Sequence, residues 1–150
     1  MIRDVTFAHP EFHQAPERFE AGNGNIADAV GLGAAIVNIN KIGIDLIAQY
    51  EHYLVEYATR FLKPVPGLTM IGTAPDKASV LSFVLAACKT EDVGAALNEE
   101  GIAARSGHHS AQPILRRLDQ EATVRLSLAF YNTCGEIDKL YTTLLGLKRK

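Results

Sequence analysis

"ATVRLSLAF", residues 122–130, is the stretch on which the fold turns. Val124, Leu126 and Leu128 fall on one face of an extended chain, Arg125 and Ser127 on the other. A period of two marks a half-buried strand. The next run, "CGEIDKLYTTLLGLK" (134–148), has the three-to-four spacing of an amphipathic helix, with lysines expected in its last turn.

The same reading extends towards the N-terminus. "TEDVGAALNEEG" (90–101) predicts a helix with Thr90 as its cap, Glu91 and Asp92 in its first turn and Gly101 just past its end. "IAARS" (102–106) predicts a short strand, and the broken segment 106–121 holds a short helix. "LTMIG" (68–72) and "SVLSFVLA" (79–86) are β-rich runs joined by "TAPDKA", a hairpin or close strand pair. Upstream lie two helices. One covers about 43–63, with Ile44, Ile47, Leu54 and Ala58/Phe61 in phase, and stops before Pro64 and Pro66. The other covers 25–40, capped by Asn25, with Asp28 in its first turn and a Gly/Ala-rich stripe suited to close packing.

Residues 1–24, with Pro10 and Pro16 and no sustained period, read as irregular. The order α-α-β-β-α-β-(short α)-β-α predicts an α/β (α+β-like) fold: a mixed or antiparallel sheet of about four strands with helices on one face. Three segments are expected: an irregular 1–24, two linking helices over 25–66, and a small α/β domain over 67–150.

The totals narrow the function classes. With 150 residues, 47% of them hydrophobic, the chain has one domain's length and enough apolar material for a core. A net charge of −2 without a basic block gives no reason to expect nucleic acid or an anionic membrane surface. Cys88 and Cys134 stand apart, outside any C-x-x-C motif, which suits a reducing cytoplasm. The first residues lack the apolar core of a signal peptide, and no run is long enough for a membrane span.

Several residues invite a chemical reading. "AGNGNIA" (21–27) matches G-x-G-x-x-A, but no buried strand precedes it, so a dinucleotide site is disfavoured. Gly22 and Gly24 before a helix still suit an oxyanion or phosphate; a helix start needing flexible glycines is the alternative. His108 and His109 are adjacent and have no convincing third ligand, so no metal is expected. Ser110 lacks the G-x-S-x-G elbow of a hydrolase nucleophile. Arg125, in mid-strand, presents a rigidly held guanidinium suited to a carboxylate or phosphate, with Arg105 able to serve the same pocket. The alternative is an arginine facing solvent on the open side of the sheet.

"RFEAGNGNIADAVGLGAAI", "VGAALNEEGIAARSGHHSAQP" and "VRLSLAFYNTCGEIDKL", in this order, resemble the C-terminal part of the Suf-type cysteine desulfurases and selenocysteine lyases. Those are pyridoxal-phosphate enzymes of the class V aminotransferase family. The resemblance covers nearly the whole chain and implies the small C-terminal domain of PLP fold type I with an N-terminal helical extension. It implies that Arg125 clamps a substrate α-carboxylate, with Arg105, His108 and His109 alongside. It also implies that Gly22 and Asn23 belong to a turn extended towards a partner subunit's cofactor phosphate. In the family a loop cysteine takes sulfur from substrate cysteine as a persulfide, releasing alanine.

Three departures from the family pattern follow. "GHHSA" stands where the family has "GHHCA", placing Ser110 at the sulfur-accepting position, and a hydroxyl is neither readily ionised nor able to carry a persulfide. Asn23 replaces a phosphate-contacting threonine. No residue corresponds to the cofactor-bearing lysine. The expectation is therefore a fragment or remnant that is inactive alone and does not hold the cofactor covalently. The rival expectations are a module that self-associates, as a homodimer through helix 25–40, or docks on a large domain or full-length homologue, and one half of a split lyase.

Overall fold

The computed structural model describes residues 1–147. The chain divides into two compact units, Met1–Gly43 and Ile44–Lys150. In the first, β1 (Ile2–Val5) pairs antiparallel with β2 (Pro10–Phe12), a 3₁₀ turn covers Glu17–Phe19, and α1 spans Ile26–Ile42. The hairpin corrects the expectation that residues 1–24 are irregular. Thr6 makes the turn: its Oγ1 accepts from the amides of Ala8 and His9 and donates to the His9 carbonyl, at 3.0–3.3 Å. The two strands bury nothing, so no apolar alternation announced them. Asn25 caps α1 as expected, its side chain accepting from the Asp28 amide at 3.2 Å. No α1 residue is buried; Ile26, Val30, Leu32, Ile36 and Val37 all lie open.

The second unit holds α2 (Ile44–Leu62), β3 (Leu68–Ile71), β4 (Val80–Leu85), α3 (Thr90–Glu99), β5 (Arg105–Gly107), α4 (Gln112–Arg117), β6 (Thr123–Ser127) and α5 (Cys134–Gly146). The two long helices, expected together as a linking segment over 25–66, fall in different units. The reason is burial: α2 sinks Ile47, Leu54, Val55, Ala58 and Leu62, whereas α1 sinks none.

The four strands form one antiparallel sheet in the order β3-β4-β6-β5. Leu81, Phe83 and Leu85 of β4 and Val124 and Leu126 of β6 share one face, paired as Leu81–Leu126 and Phe83–Val124. Val93 and Leu97 of α3 and Ile137, Leu140 and Leu144 of α5 complete that core with α2. The opposite face carries the cross-strand row Ile71–Ser82–Arg125–Arg105.

Helix ends refine the sequence reading. Lys89, not Thr90, is the N-cap of α3, and no side chain caps it; Thr90 is its first residue. Gly101, at φ +73°, ends α3 as expected: its amide donates to Asn98 and that of Ile102 to Leu97, which satisfies two terminal carbonyls. Thr133 and Glu136 form a reciprocal capping box on α5. The strand expected at 102–106 is shifted to Arg105–Gly107, and no basic residue stands in the last turn of α5, Lys148 lying outside the described residues.

Candidate functional site

Arg125 is central to β6, and its parity sends the side chain to the face opposite the core. Arg105 of β5 stands directly across from it. Like charges opposed across an antiparallel pair repel, an arrangement that an anion between them relieves. Among the described residues neither guanidinium has a carboxylate within ion-pair distance. The Nε of Arg125 is buried and has no hydrogen-bond partner. Leaving a buried donor unmade costs about 1–3 kcal/mol.

β5 ends at Gly107 (φ +125°) and the chain turns through His108–Ala111, where the Ala111 amide donates to the His108 carbonyl at 2.8 Å. His109 and Ser110 occupy the two central positions with φ +53° and +56°. Two consecutive left-handed residues that are not glycine are uncommon and need outside support. His109 supplies part of it. Its Nε2 lies 3.1 Å from the Thr123 carbonyl oxygen and 3.0 Å from Thr123 Oγ1. A carbonyl only accepts, so Nε2 carries the hydrogen and Nδ1 presents a lone pair. That Nδ1 is buried without a partner. Burial is the main cause holding His109 below the usual imidazole range; the Thr123 backbone bond opposes this, and Arg125, Arg105 and His108 push the same way as burial.

Ser110 is exposed at the turn. Its backbone amide, not its hydroxyl, donates to His108 Nδ1, at 3.0 Å. His109 is engaged with Thr123, so neither histidine takes a proton from Ser110 Oγ, and the arrangement is not a hydrolytic pair. The two imidazoles make separate contacts, His109 with Thr123 and His108 with the Ser110 amide. Among the described residues no group of three His, Cys, Asp or Glu side chains is gathered to hold a metal ion.

The structure thus brings Arg105, Arg125, His108, His109 and Ser110 into one small region beside the β5–β6 pair. Gly22 (φ +77°) and Asn23 lie exposed in the first unit, ahead of the Asn25 cap. Three residues escaped the sequence reading. Thr123, buried, anchors His109, and it sits two residues before Arg125, hence on the same face. Ser82 shares the row with the arginines. Gly94 lets α3 approach β5: a Cβ there would stand 2.7 Å from Ser106 Oγ.

Residues 1–140 match the family described as aminotransferase class-V. The chain belongs to that family. It is 61% identical over 140 residues to a cysteine desulfurase of Synechococcus elongatus, a match covering 93% of this chain and 22% of the relative. The apo structure of a cysteine desulfurase from Thermococcus onnurineus NA1 superposes with a TM-score of 0.83 at 36% identity, over 96% of this chain and 36% of that one. A C-DES mutant with glycine covalently linked to its PLP cofactor shares the fold at a TM-score of 0.73 and 20% identity. This class-V aminotransferase chain therefore spans about a fifth to a third of the length of such relatives, and its antiparallel sheet with flanking helices is that of PLP-fold cysteine desulfurases. No lysine lies on β4, β5 or β6 or in the 108–111 turn. The elements that form this site thus offer guanidinium, imidazole and hydroxyl groups and no amine.

Proposed function

We propose that this chain is the carboxylate-binding, small-domain part of a cysteine-desulfurase-like class-V aminotransferase, and that it does not transfer sulfur on its own. The observation carrying this reading is the facing pair Arg105–Arg125: two guanidiniums across one strand pair, without carboxylate partners among the described residues, beside a histidine whose buried environment disfavours a third positive charge. A planar guanidinium fixed in mid-strand matches the two oxygens of an amino-acid carboxylate. Arg125 is the clamp and Arg105 its electrostatic partner. His109, tied to Thr123, positions the turn, and His108 fixes the backbone of Ser110.

Silence in sulfur transfer rests on Ser110. Exposed at the tip of its turn, it is well placed to meet a substrate, but its oxygen cannot become a persulfide sulfur. No step through the cofactor is assigned to this chain. Gly22 and Asn23 remain candidates for a phosphate contact across a subunit boundary, and the reaction of a whole protein of this family requires groups these residues do not supply.

The open apolar side chains of α1 favour a second, compatible role as a docking or dimerising element, covered by another copy, by a full-length homologue, or by a chain that completes a split lyase. The clamp is tested by following arginine Nε–H resonances while acetate or L-alanine is added. A saturable shift at Arg125 and Arg105, weakened about tenfold or more in Arg125→Lys, is expected. An equal, non-saturating drift of every arginine would refute it.

A further inference from the structure

β3 is one of the two outer strands of the sheet, and its far edge is open. The Ala86 amide donates to the Gly67 carbonyl at 2.8 Å, and Leu68 stands opposite Leu85. Antiparallel alternation then gives the β4-facing peptide groups to Gly67, Thr69 and Ile71, and turns those of Leu68 and Met70 outward. The Leu68 amide is taken by the Val65 carbonyl at 3.1 Å. This leaves the Leu68 carbonyl and both polar groups of the Met70 backbone along the edge, unpaired among the described residues. The side chains of Leu68 and Met70 meanwhile pack against the core, which fixes the register of what the edge presents.

Beside this edge runs a groove of about 780 Å³ between α2 and the chain from Leu68 to Lys77. A strand edge flanked by a helix is a setting in which an extended peptide adds as a further strand. The charges on the groove choose the occupant. Arg60, Lys63 and Lys77 line it, and none of the three has an ion pair among the described residues. Its one acid, Glu56, sits 3.4 Å from His52, which also lines the groove. A second copy of the chain paired edge to edge would set these cations against their own kind. A strand bearing carboxylates meets them with opposite charge.

We propose that the β3 edge and the basic groove beside α2 form a docking site for an extended acidic polypeptide segment, which lengthens the sheet by one strand through Leu68 and Met70. The carboxylates of the segment lie against Arg60, Lys63 and Lys77. This site stands apart from the arginine clamp, which faces out from β5 and β6.

A fluorescein-labelled octapeptide of alternating Glu and Val tests the proposal by anisotropy with the full chain, alongside a Lys–Val octapeptide and a Glu–Val octapeptide N-methylated at alternate amides. Saturable binding by the first alone is expected, with amide shifts centred on Leu68–Ile71 and an affinity that falls as salt rises. Lys63→Glu with Lys77→Glu, both outside the core, weakens binding about tenfold or more. Met70→Pro, which removes the outward amide together with a side chain that packs against the core, does the same; should it fail to fold, the N-methylated peptide tests the same hydrogen bonds from the other side. Equal binding of the Lys–Val peptide, no binding of the Glu–Val peptide, an unchanged affinity in the double variant, or shifts that avoid β3 would overturn the proposal.

Discussion

Gly94→Ala probes how the fold sets the arginine pair. Gly94 sits in the middle of α3, where alanine favours the helix by about 1 kcal/mol. Packing opposes that gain. A Cβ built on Gly94 meets Ser106 Oγ at 2.7 Å and Ser106 Cβ at 3.1 Å. The hydroxyl can rotate away, but the Cβ is fixed to β5 and moves only with its backbone. Forcing one methyl into such a contact costs about 1–3 kcal/mol, so the variant should be destabilised by roughly 0–2 kcal/mol after the propensity gain. Ser106 lies between Arg105 and Gly107, so a displaced β5 also moves Arg105 relative to Arg125. Urea denaturation of Gly94→Ala, Ser106→Gly and the double variant isolates the contact. The double variant removes both offending atoms, so the two changes should be coupled by about 1 kcal/mol or more. Stabilisation of Gly94→Ala by the full helix increment, with no coupling to Ser106, would refute the claim that α3 and β5 are in closest approach there.

Two further outcomes are expected. Folded His109 titrates below its ordinary pKa of about 6.5, so between those values the unfolded chain binds the more protons. Its contribution to stability is therefore whole above about pH 6.5 and lost as pH falls towards the folded value; urea titrations from about pH 5 to 7 should show a slope that His109→Gln reduces. An unchanged slope would mean that the imidazole is not buried against Thr123. Thr133→Ala removes the side-chain half of the α5 capping box and should cost about 1 kcal/mol in the same assay, while the Glu136 carboxyl stays below its ordinary range because the backbone amide of residue 133, the first cause of the lowering, survives the substitution. A loss within error would show that the cap is replaced by solvent.

Much of the sheet could be read from residue order because its strands bury one face. The alternation in 122–130 assigned Val124 and Leu126 to the core and Arg125 to the open side, and β3 and β4 pair as their joined β-rich runs imply. Gly101 and Asn25 marked helix ends through local chemistry that needs no tertiary partner. What stayed hidden depends on pairing or on unusual backbone. The β1–β2 hairpin is exposed on every residue and so carries no apolar period. Thr90 looked like a cap because its residue type suits one, but it is the first residue of α3, and the cap is Lys89, whose carbonyl accepts from the Val93 amide without help from a side chain. The facing of Arg105 and Arg125 needs the β5–β6 register, and the tie from His109 to Thr123 needs a left-handed turn that neither His109 nor Ser110 favours alone. Ser110 was legible as a departure from its family's pattern; that its amide, rather than its hydroxyl, meets a histidine was not.

Quantifying alanine released from L-cysteine by the purified chain with added pyridoxal phosphate addresses the central claim most directly. No more alanine is expected than the cofactor yields in buffer, and no persulfide on the protein by mass spectrometry. Alanine formed in proportion to the protein, over many equivalents and abolished in Arg125→Lys, would contradict it.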